Sequence, residues 1–160
     1  MDVWADLVES WISRGDASEI QRLQILIAAT RLGCIPAVDI LAHWVCGFSQ
    51  SDYVPFGDSF WYCPHVSLAM SCLRQRRRLL PLTVCERLMH VPRPGLGYAP
   101  IEAISAHADR SALDLLLRLH NDPSESDRRG GLCDAIEILG GRLGLSFARD
   151  GDALRVVSAT

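Results

Sequence analysis

The chain has 160 residues, of which 49% are hydrophobic and 22% are charged, and its formal net charge at pH 7 is −3. This composition is typical of one folded globular domain and excludes disorder as the main state. The longest apolar runs, such as Ile25–Ala29, are far shorter than the roughly 20 residues needed to cross a bilayer, so we expect no membrane partner. The negative net charge makes nucleic acid an unexpected partner as well.

Two features of the composition bear on location and turnover. The N-terminal sequence lacks the basic-then-apolar pattern of an export signal, so we expect a cytoplasmic or nuclear protein. All 16 basic residues are arginine, and none is lysine. One cause that would produce this bias is a GC-rich coding sequence, which favours arginine codons. The alternative cause is selection against side-chain amines, which are the targets of ubiquitin transfer.

Apolar residues at three- and four-residue steps predict short helices along most of the chain. Residues 1–15 predict an amphipathic helix that caps the N-terminal end of a single domain spanning residues 1–160. Asp16 or Ser18 can cap a second helix, which ends at Gly33. Pro36 then stands in the first turn of a third helix.

The remainder of the chain predicts a loop, five more helices and a hairpin. Residues 48–62 interrupt every helical period and predict a loop. Helical spacing then returns over Val66–Leu73, Leu79–Met89, Pro100–His107, Ser111–His120 and Leu132–Leu143. Residues 121–131, before the last of these helices, predict a polar loop. Asp150 and Gly151 separate two β-prone runs, which predicts a β-hairpin within residues 144–160.

The apolar positions of two neighbouring helix pairs repeat with a period of 33 residues. Shifting the later pair back by this period places Ile101 on Leu68, Leu113 on Leu80, Leu115 on Leu82 and Leu117 on Val84. The segment Gly97–Ile104, followed by Ala112–Leu117, resembles the ankyrin-repeat family, whose signature T-P-L-H-x-A begins a unit of two antiparallel helices. Pro100 matches the signature, whereas Ala99, Glu102 and Ile104 replace its threonine, histidine and alanine.

The resemblance covers residues 18–143 as three or four divergent units. It implies an all-α fold, a short solenoid of ankyrin-like helix pairs, and a function in binding another protein through a surface. Within the family, Pro64–Ala69 and the loop before it resemble substrate adaptors of cullin ubiquitin ligases. This implies a cullin-ligase subunit or its client as the partner, and an adaptor without lysine would be protected from its own ligase.

The loop at residues 48–62 contains six of the eleven aromatic residues and is the leading candidate for partner contact. Aromatic side chains dominate protein interfaces because they bury a large area at little entropic cost. The predicted partner-binding residues in this loop are Tyr53, Phe56, Phe60, Trp61 and Tyr62. The alternative is that the last three of them fold back into the core.

A basic cluster, formed by Arg74, Arg76, Arg77 and Arg78, lies at a turn between two predicted helices. Such a cluster suits an acidic partner, phosphate or RNA, and we predict Arg76 and Arg77 as further partner-binding residues. The alternative is a turn that is only solvated.

A zinc site is the first chemical alternative to a binding surface. Cys63, His65, Cys72 and Cys85 offer the thiolate and imidazole ligands that zinc prefers. Their spacing is irregular, and cysteine also serves as a small buried residue. We therefore expect no metal and no other cofactor.

Acid–base catalysis is the second alternative. His107 with Asp109, and His120 with Asp122, have suitable side chains. The sequence contains no glycine-rich phosphate loop, no G-x-S-x-G and no H-E-x-x-H. We therefore expect a protein that is not an enzyme.

The main functional competitor is a DNA-binding regulator with a helix-turn-helix. Its two helices would be Pro100–Ala106 and Arg110–Leu119, and the hairpin at residues 146–157 would be its wing. Against this reading, the second helix carries Leu113, Leu115, Leu116 and Leu117, and it has only two arginines to meet phosphate.

Overall fold

The computed structural model describes residues 18–48, 62–91 and 96–159, together with Asp6, Val8, Ser10, Trp11 and Ser13. These residues form a mostly helical protein with a C-terminal two-stranded antiparallel sheet, which confirms the predicted helical fold with a terminal hairpin. The helices are α1 (Glu19–Leu32), α2 (Ile35–Gly47), α3 (Tyr62–Gln75), α4 (Leu82–Met89), α5 (Ala99–Ser105), α6 (Arg110–His120) and α7 (Arg129–Arg142). A 3₁₀ helix (Pro123–Arg128) precedes α7, and the strands are β1 (Leu145–Asp150) and β2 (Ala153–Ala159).

The first helix boundaries follow local signals in the sequence. The Ser18 hydroxyl accepts a hydrogen bond from the backbone N–H of Gln21, and the Gln21 side chain accepts one from the Ser18 N–H, which forms a capping box at α1. Gly33 ends α1 in the left-handed conformation, and Pro36 lies in the first turn of α2. Of the predicted N-terminal helix, only single residues are described, and Val8 among them is helical and buried.

Three predicted boundaries were wrong. Helix α3 begins at Tyr62, four residues before Val66, and α4 begins directly after Pro81 rather than at Leu79. Residues 121–131 form no open loop, because the Asp122 carboxylate accepts hydrogen bonds from the N–H and hydroxyl of Ser124 and caps the 3₁₀ helix there. Helix α7 consequently starts at residue 129, ahead of the glycines that marked the predicted loop.

Alternate helices pack side by side. Helix α1 contacts α3, α3 contacts α5, and α5 contacts α7, and we call these four helices the row. Helices α2, α4 and α6 pack against members of the row. The core is built mainly of aliphatic side chains, including the fully buried Leu23, Leu41, Leu73, Leu88, Leu113 and Ile136. No helix among the described residues has the length and apolar character that a membrane crossing requires.

The same backbone conformation follows each helix of the row. Gly33, Arg77, Ala108 and Gly144, which follow α1, α3, α5 and α7, have φ angles of 91°, 56°, 53° and 68°. This left-handed conformation is favourable for glycine and costly for residues with a Cβ. Arg77 and Ala108 therefore retain the turn at the expense of backbone strain.

The hairpin packs against the last two helices. The Asn121 side chain accepts a hydrogen bond of 3.1 Å from the Leu154 N–H and donates one of 3.3 Å to the Leu154 carbonyl. Leu154 is buried, and Arg129 of α7 forms an ion pair of 2.8 Å with Asp152 in the hairpin turn. The hairpin thus covers part of the surface of α6 and α7.

Candidate interaction surface

Two grooves lie between neighbouring helices of the row. The larger, about 700 Å³, lies between α5 and α7 and is lined among others by Arg74, Tyr98, Glu102, Asp134, Ile138 and Arg142. We call it the α5–α7 groove. The second, about 510 Å³, is lined by residues of α1 and α3, including Leu32 and Leu68, and is called the α1–α3 groove.

Large apolar side chains stand exposed at both grooves. Tyr98 and Ile138 are 56% and 58% exposed at the α5–α7 groove, and Leu32 is 76% exposed at the α1–α3 groove. The side chain of Ile101 is buried beneath the first of these grooves. Exposed apolar groups that lie together, as Tyr98 and Ile138 do at the α5–α7 groove, mark sites of interaction, whereas a single exposed side chain such as Leu32 is common on protein surfaces.

A glycine sets the position of the Tyr98 ring. A Cβ at Gly131 would lie only 2.4 Å from Cε1 of Tyr98, so the ring occupies the space that any other residue would fill. The adjacent Gly130 has open space around it. Gly131 therefore lets the ring lie close to the backbone of α7 at the edge of the α5–α7 groove.

The α5–α7 groove contains an ion pair and, as far as the described residues show, two charges without a partner. Arg74 Nη2 lies 2.9 Å from Glu102 Oε2, which joins α3 to α5. Asp134 and Arg142 are exposed on α7, and within the described part of the chain neither forms an ion pair. Their charges are available to a partner.

Three arginines of the predicted basic cluster form hydrogen bonds or ion pairs with other parts of the same chain. Arg76 Nε donates a hydrogen bond of 2.9 Å to the Thr30 carbonyl, and its Nη2 donates to the Arg31 carbonyl at the end of α1. Arg78 forms an ion pair of 3.1 Å with Asp39 of α2, and Arg74 binds Glu102 as described above. The cluster thus joins α3 to three other helices.

Arg77 differs from its three neighbours. It is exposed, and no ion pair or hydrogen bond of its guanidinium occurs among the described residues. Its backbone completes the end of α3, since the Arg77 N–H donates to the Arg74 carbonyl and the Arg78 N–H donates to the Leu73 carbonyl. The charge of Arg77 is therefore available to a partner, as predicted from the sequence.

The predicted aromatic loop falls largely outside the described residues. Tyr53, Phe56, Phe60 and Trp61 lie there, as does the side chain of Tyr62, the first residue of α3. Their role stays a prediction. Phe48, at the start of the predicted loop, is buried and packs on Trp44 with ring centroids 6.0 Å apart.

The residue pairs considered for acid–base chemistry have structural contacts. His107 Nε2 lies 2.7 Å from the Leu80 carbonyl, and Asp109 accepts a hydrogen bond from the Ala112 N–H at the start of α6. His120 is buried beside the Asn121 side chain. Hydrogen bonds from Ser124 lower the pKa of Asp122.

The cysteines considered for zinc are placed differently from one another. Cys72 and Cys85 are buried, and the side chain of Cys63 lies outside the described residues. Burial, with a smaller effect of nearby Cys46, raises the pKa of Cys85 to about 12, which keeps this thiol protonated. Among the residues that the structure describes, no three His, Cys, Asp or Glu side chains are grouped to hold a metal ion.

Helix α6, the recognition helix of the DNA-binding alternative, has its cations paired. Arg110 lies 2.9 Å from Asp114, and Arg118 lies 2.6 Å from Glu86. The hydrogen bond from Arg118 lowers the pKa of Glu86, so this carboxylate stays charged at neutral pH. Both arginines would have to leave an acidic partner before they could meet phosphate.

Four residues of the α5–α7 groove were not predicted as site residues from the sequence: Tyr98, Asp134, Ile138 and Arg142. The sequence held one sign that Ile138 is exposed. Ile138 does not fall on the buried stripe of α7, which is formed by Leu132, Ala135, Ile136 and Leu139.

No protein-family model, no curated protein and no solved structure matches this chain. Its function is therefore inferred from its own residues.

Proposed function

We propose that the chain is a non-enzymatic protein-interaction module that binds partner proteins along its row of helices. The observation that carries this proposal is the α5–α7 groove, where exposed Tyr98 and Ile138 lie beside Asp134 and Arg142, two charged residues that form no ion pair with the described residues. Protein interfaces combine a few apolar or aromatic anchors with a polar rim. The groove has this composition, and its charged rim fits a protein partner with complementary charges.

The arrangement of helices supports a repeat architecture. Contacts between alternate helices, and a left-handed residue after each helix of the row, are features that recur along the chain. They support the proposal of a short solenoid of ankyrin-like helix pairs, made from the resemblance of Gly97–Ile104. Repeat proteins of this kind present extended binding surfaces rather than deep pockets.

The finer proposal is an adaptor that brings a target to a ubiquitin ligase, with a cullin-ligase subunit or its client as partner. It rests on the sequence resemblance at Pro64–Ala69 and on the absence of lysine. Introducing lysine at exposed positions should shorten the lifetime of the protein in cells with active cullin ligases. Unchanged turnover would remove the argument from lysine.

Affinity capture from lysate tests the general proposal. The tagged protein is compared with Leu32→Ser in the α1–α3 groove, Ile138→Ser in the α5–α7 groove, and a Phe56, Phe60 and Trp61 triple alanine variant. Val157→Ser is the matched control, because Val157 is 62% exposed on β2 and lines neither groove. All variants are first shown to be folded by circular dichroism.

Loss of a specific protein partner in a groove or loop variant, with capture intact in Val157→Ser, is the expected result. An identical set of captured proteins for all five forms would contradict the proposal. Binding to duplex DNA that falls steeply with salt would favour the regulator instead. We do not propose that function, since Arg110 and Arg118 are both paired with acidic side chains.

A further inference from the structure

We propose that the α5–α7 groove binds the same groove of a second copy of this chain, in a symmetric antiparallel dimer centred on Ile138. This inference rests on the proposed function, because it names the partner of one of the two grooves. Three exposed residues of α7 support the dimer: Asp134, Ile138 and Arg142, which all line the groove. They are spaced four residues apart and so form one continuous row on the helix surface.

The order of the three residues is self-complementary. Asp134 and Arg142 each lie four residues from Ile138, about 6 Å along the helix axis in opposite directions. A two-fold axis that passes beside Ile138 and reverses the direction of the second helix places each Asp134 opposite the Arg142 of the other copy. Two identical ion pairs then flank one central apolar contact, as an isologous interface requires.

Helix packing geometry permits this contact. Rows of residues at four-residue spacing on two helices interdigitate when the helix axes cross at about −50°, the commonest packing of helices in globular proteins. Ile138 is 58% exposed, and its copy provides the apolar cover that it lacks within one chain. Tyr98, held beside α7 by Gly131, extends the apolar surface on the same side.

The remaining charges of the groove do not oppose the dimer. Arg74 and Glu102, on the opposite wall, neutralise each other at 2.9 Å. Asp134 and Arg142 carry opposite charges, so the lining as a whole is neutral. In a parallel arrangement each of these two residues would instead face its own copy, with like charges together. The charge pattern therefore selects the antiparallel orientation.

Sedimentation velocity of the purified full chain, over a wide concentration range, tests the dimer. The wild type should show a concentration-dependent approach to twice the monomer mass. The charge reversals Asp134→Arg and Arg142→Asp should each weaken dimerisation at least about tenfold, because like charges then face each other. Glu137→Arg, an exposed reversal on α7 that does not line the groove, is the matched control and should dimerise like the wild type.

Mixing the two reversed variants gives the decisive result. One copy then offers two arginines and the other two aspartates, so the mixture should form a heterodimer that neither variant forms as a homodimer. Circular dichroism and thermal unfolding show whether each variant is folded, and the double variant with both residues exchanged should dimerise again.

A wild type that stays monomeric at every concentration overturns the proposal. So does a dimer that is insensitive to Asp134→Arg and Arg142→Asp, or a mixture of the two variants that stays monomeric. If the wild type is monomeric and Ile138→Ser no longer captures from lysate a protein that the wild type captures, the groove binds that protein and not a second copy. In that case the dimer fails while the proposed binding function stands, and loss of capture by Leu32→Ser supports that function independently.

Discussion

The guanidinium of Arg76 binds the backbone carbonyl of Thr30, with 2.9 Å between Nε and the oxygen. The last carbonyls of a helix lack partners within that helix and carry its partial negative charge. Arg76, in the turn after α3, therefore completes the end of α1, although it lies 46 positions after Thr30 in the sequence. This contact fixes two neighbouring helices of the row relative to each other.

Removing this side chain should destabilise the protein. Arg76→Ala is expected to lower the free energy of unfolding by about 1.5 kcal/mol, because two carbonyls lose a charged donor. Arg76→Lys should not restore stability fully, since one ammonium does not reproduce the fork of the guanidinium. Urea unfolding measures both effects. Arg77→Ala is the control, and a loss of stability equal to that of Arg76→Ala would contradict the assignment.

Glycine substitutions at the two strained turns should increase stability, in contrast to Arg76→Ala. Arg77→Gly and Ala108→Gly should each raise the free energy of unfolding by about 1 kcal/mol, because glycine adopts a positive φ without steric cost. Gly33→Ala should lower it, since φ is 91° there and the new Cβ would lie 3.4 Å from Nη1 of Arg76. Denaturation midpoints at an unchanged m-value report these shifts. Destabilisation by Ala108→Gly would show that the turn is not left-handed in solution.

The adjacent glycines near the end of α7 should respond differently to alanine. A Cβ at Gly140 would lie 2.1 Å from the ring of Phe147 in β1, whereas Gly141 has open space around it. Gly140→Ala should therefore lower stability by about 1–3 kcal/mol through overpacking, and Gly141→Ala should raise it by up to about 1 kcal/mol through helix propensity. Thermal unfolding of the two variants measures the contrast. Equal effects would mean that Phe147 does not pack on α7.

Thiol chemistry should separate Cys85 from Cys133. Burial raises the pKa of Cys85 to about 12, so this thiol stays protonated and shielded in the native protein at pH 8. Cys133 is partly exposed on α7. Brief alkylation followed by peptide mass spectrometry should label Cys133 and leave Cys85 unmodified until urea unfolds the chain. Rapid labelling of native Cys85 would contradict its burial.

Local chemistry explains why much of the helical fold could be predicted. Ser18 offers a cap that needs only its near neighbour Gln21, and Gly33 supplies the left-handed turn. The hairpin turn is formed by Gly151 and Asp152, one residue further along than the predicted Asp150 and Gly151. Each signal acts within a few residues. The start of α3 at Tyr62 and the start of α7 at Arg129 were not predicted. The residues beside each start are typical helix breakers when only the local sequence is considered.

The surface residues could not be assigned in the same way. Arg76 and Arg78 look like free cations in the sequence, because their partners Thr30 and Asp39 lie far away along the chain. Gly131 looks like a breaker, and only the packed fold shows that it receives the ring of Tyr98. The groove exists because α5 and α7 meet in space, and no local pattern encodes that contact.

Site-specific photo-crosslinking tests the central claim, that proteins dock along the row of helices, most directly. A photoreactive amino acid is introduced at Ile138 in the α5–α7 groove and, in a separate sample, at Val157 on β2, two sites of similar exposure. Irradiation of the tagged protein in lysate should yield a discrete crosslinked protein species from position 138 and none from position 157. No discrete product from position 138, or the same products from both positions, would contradict the claim.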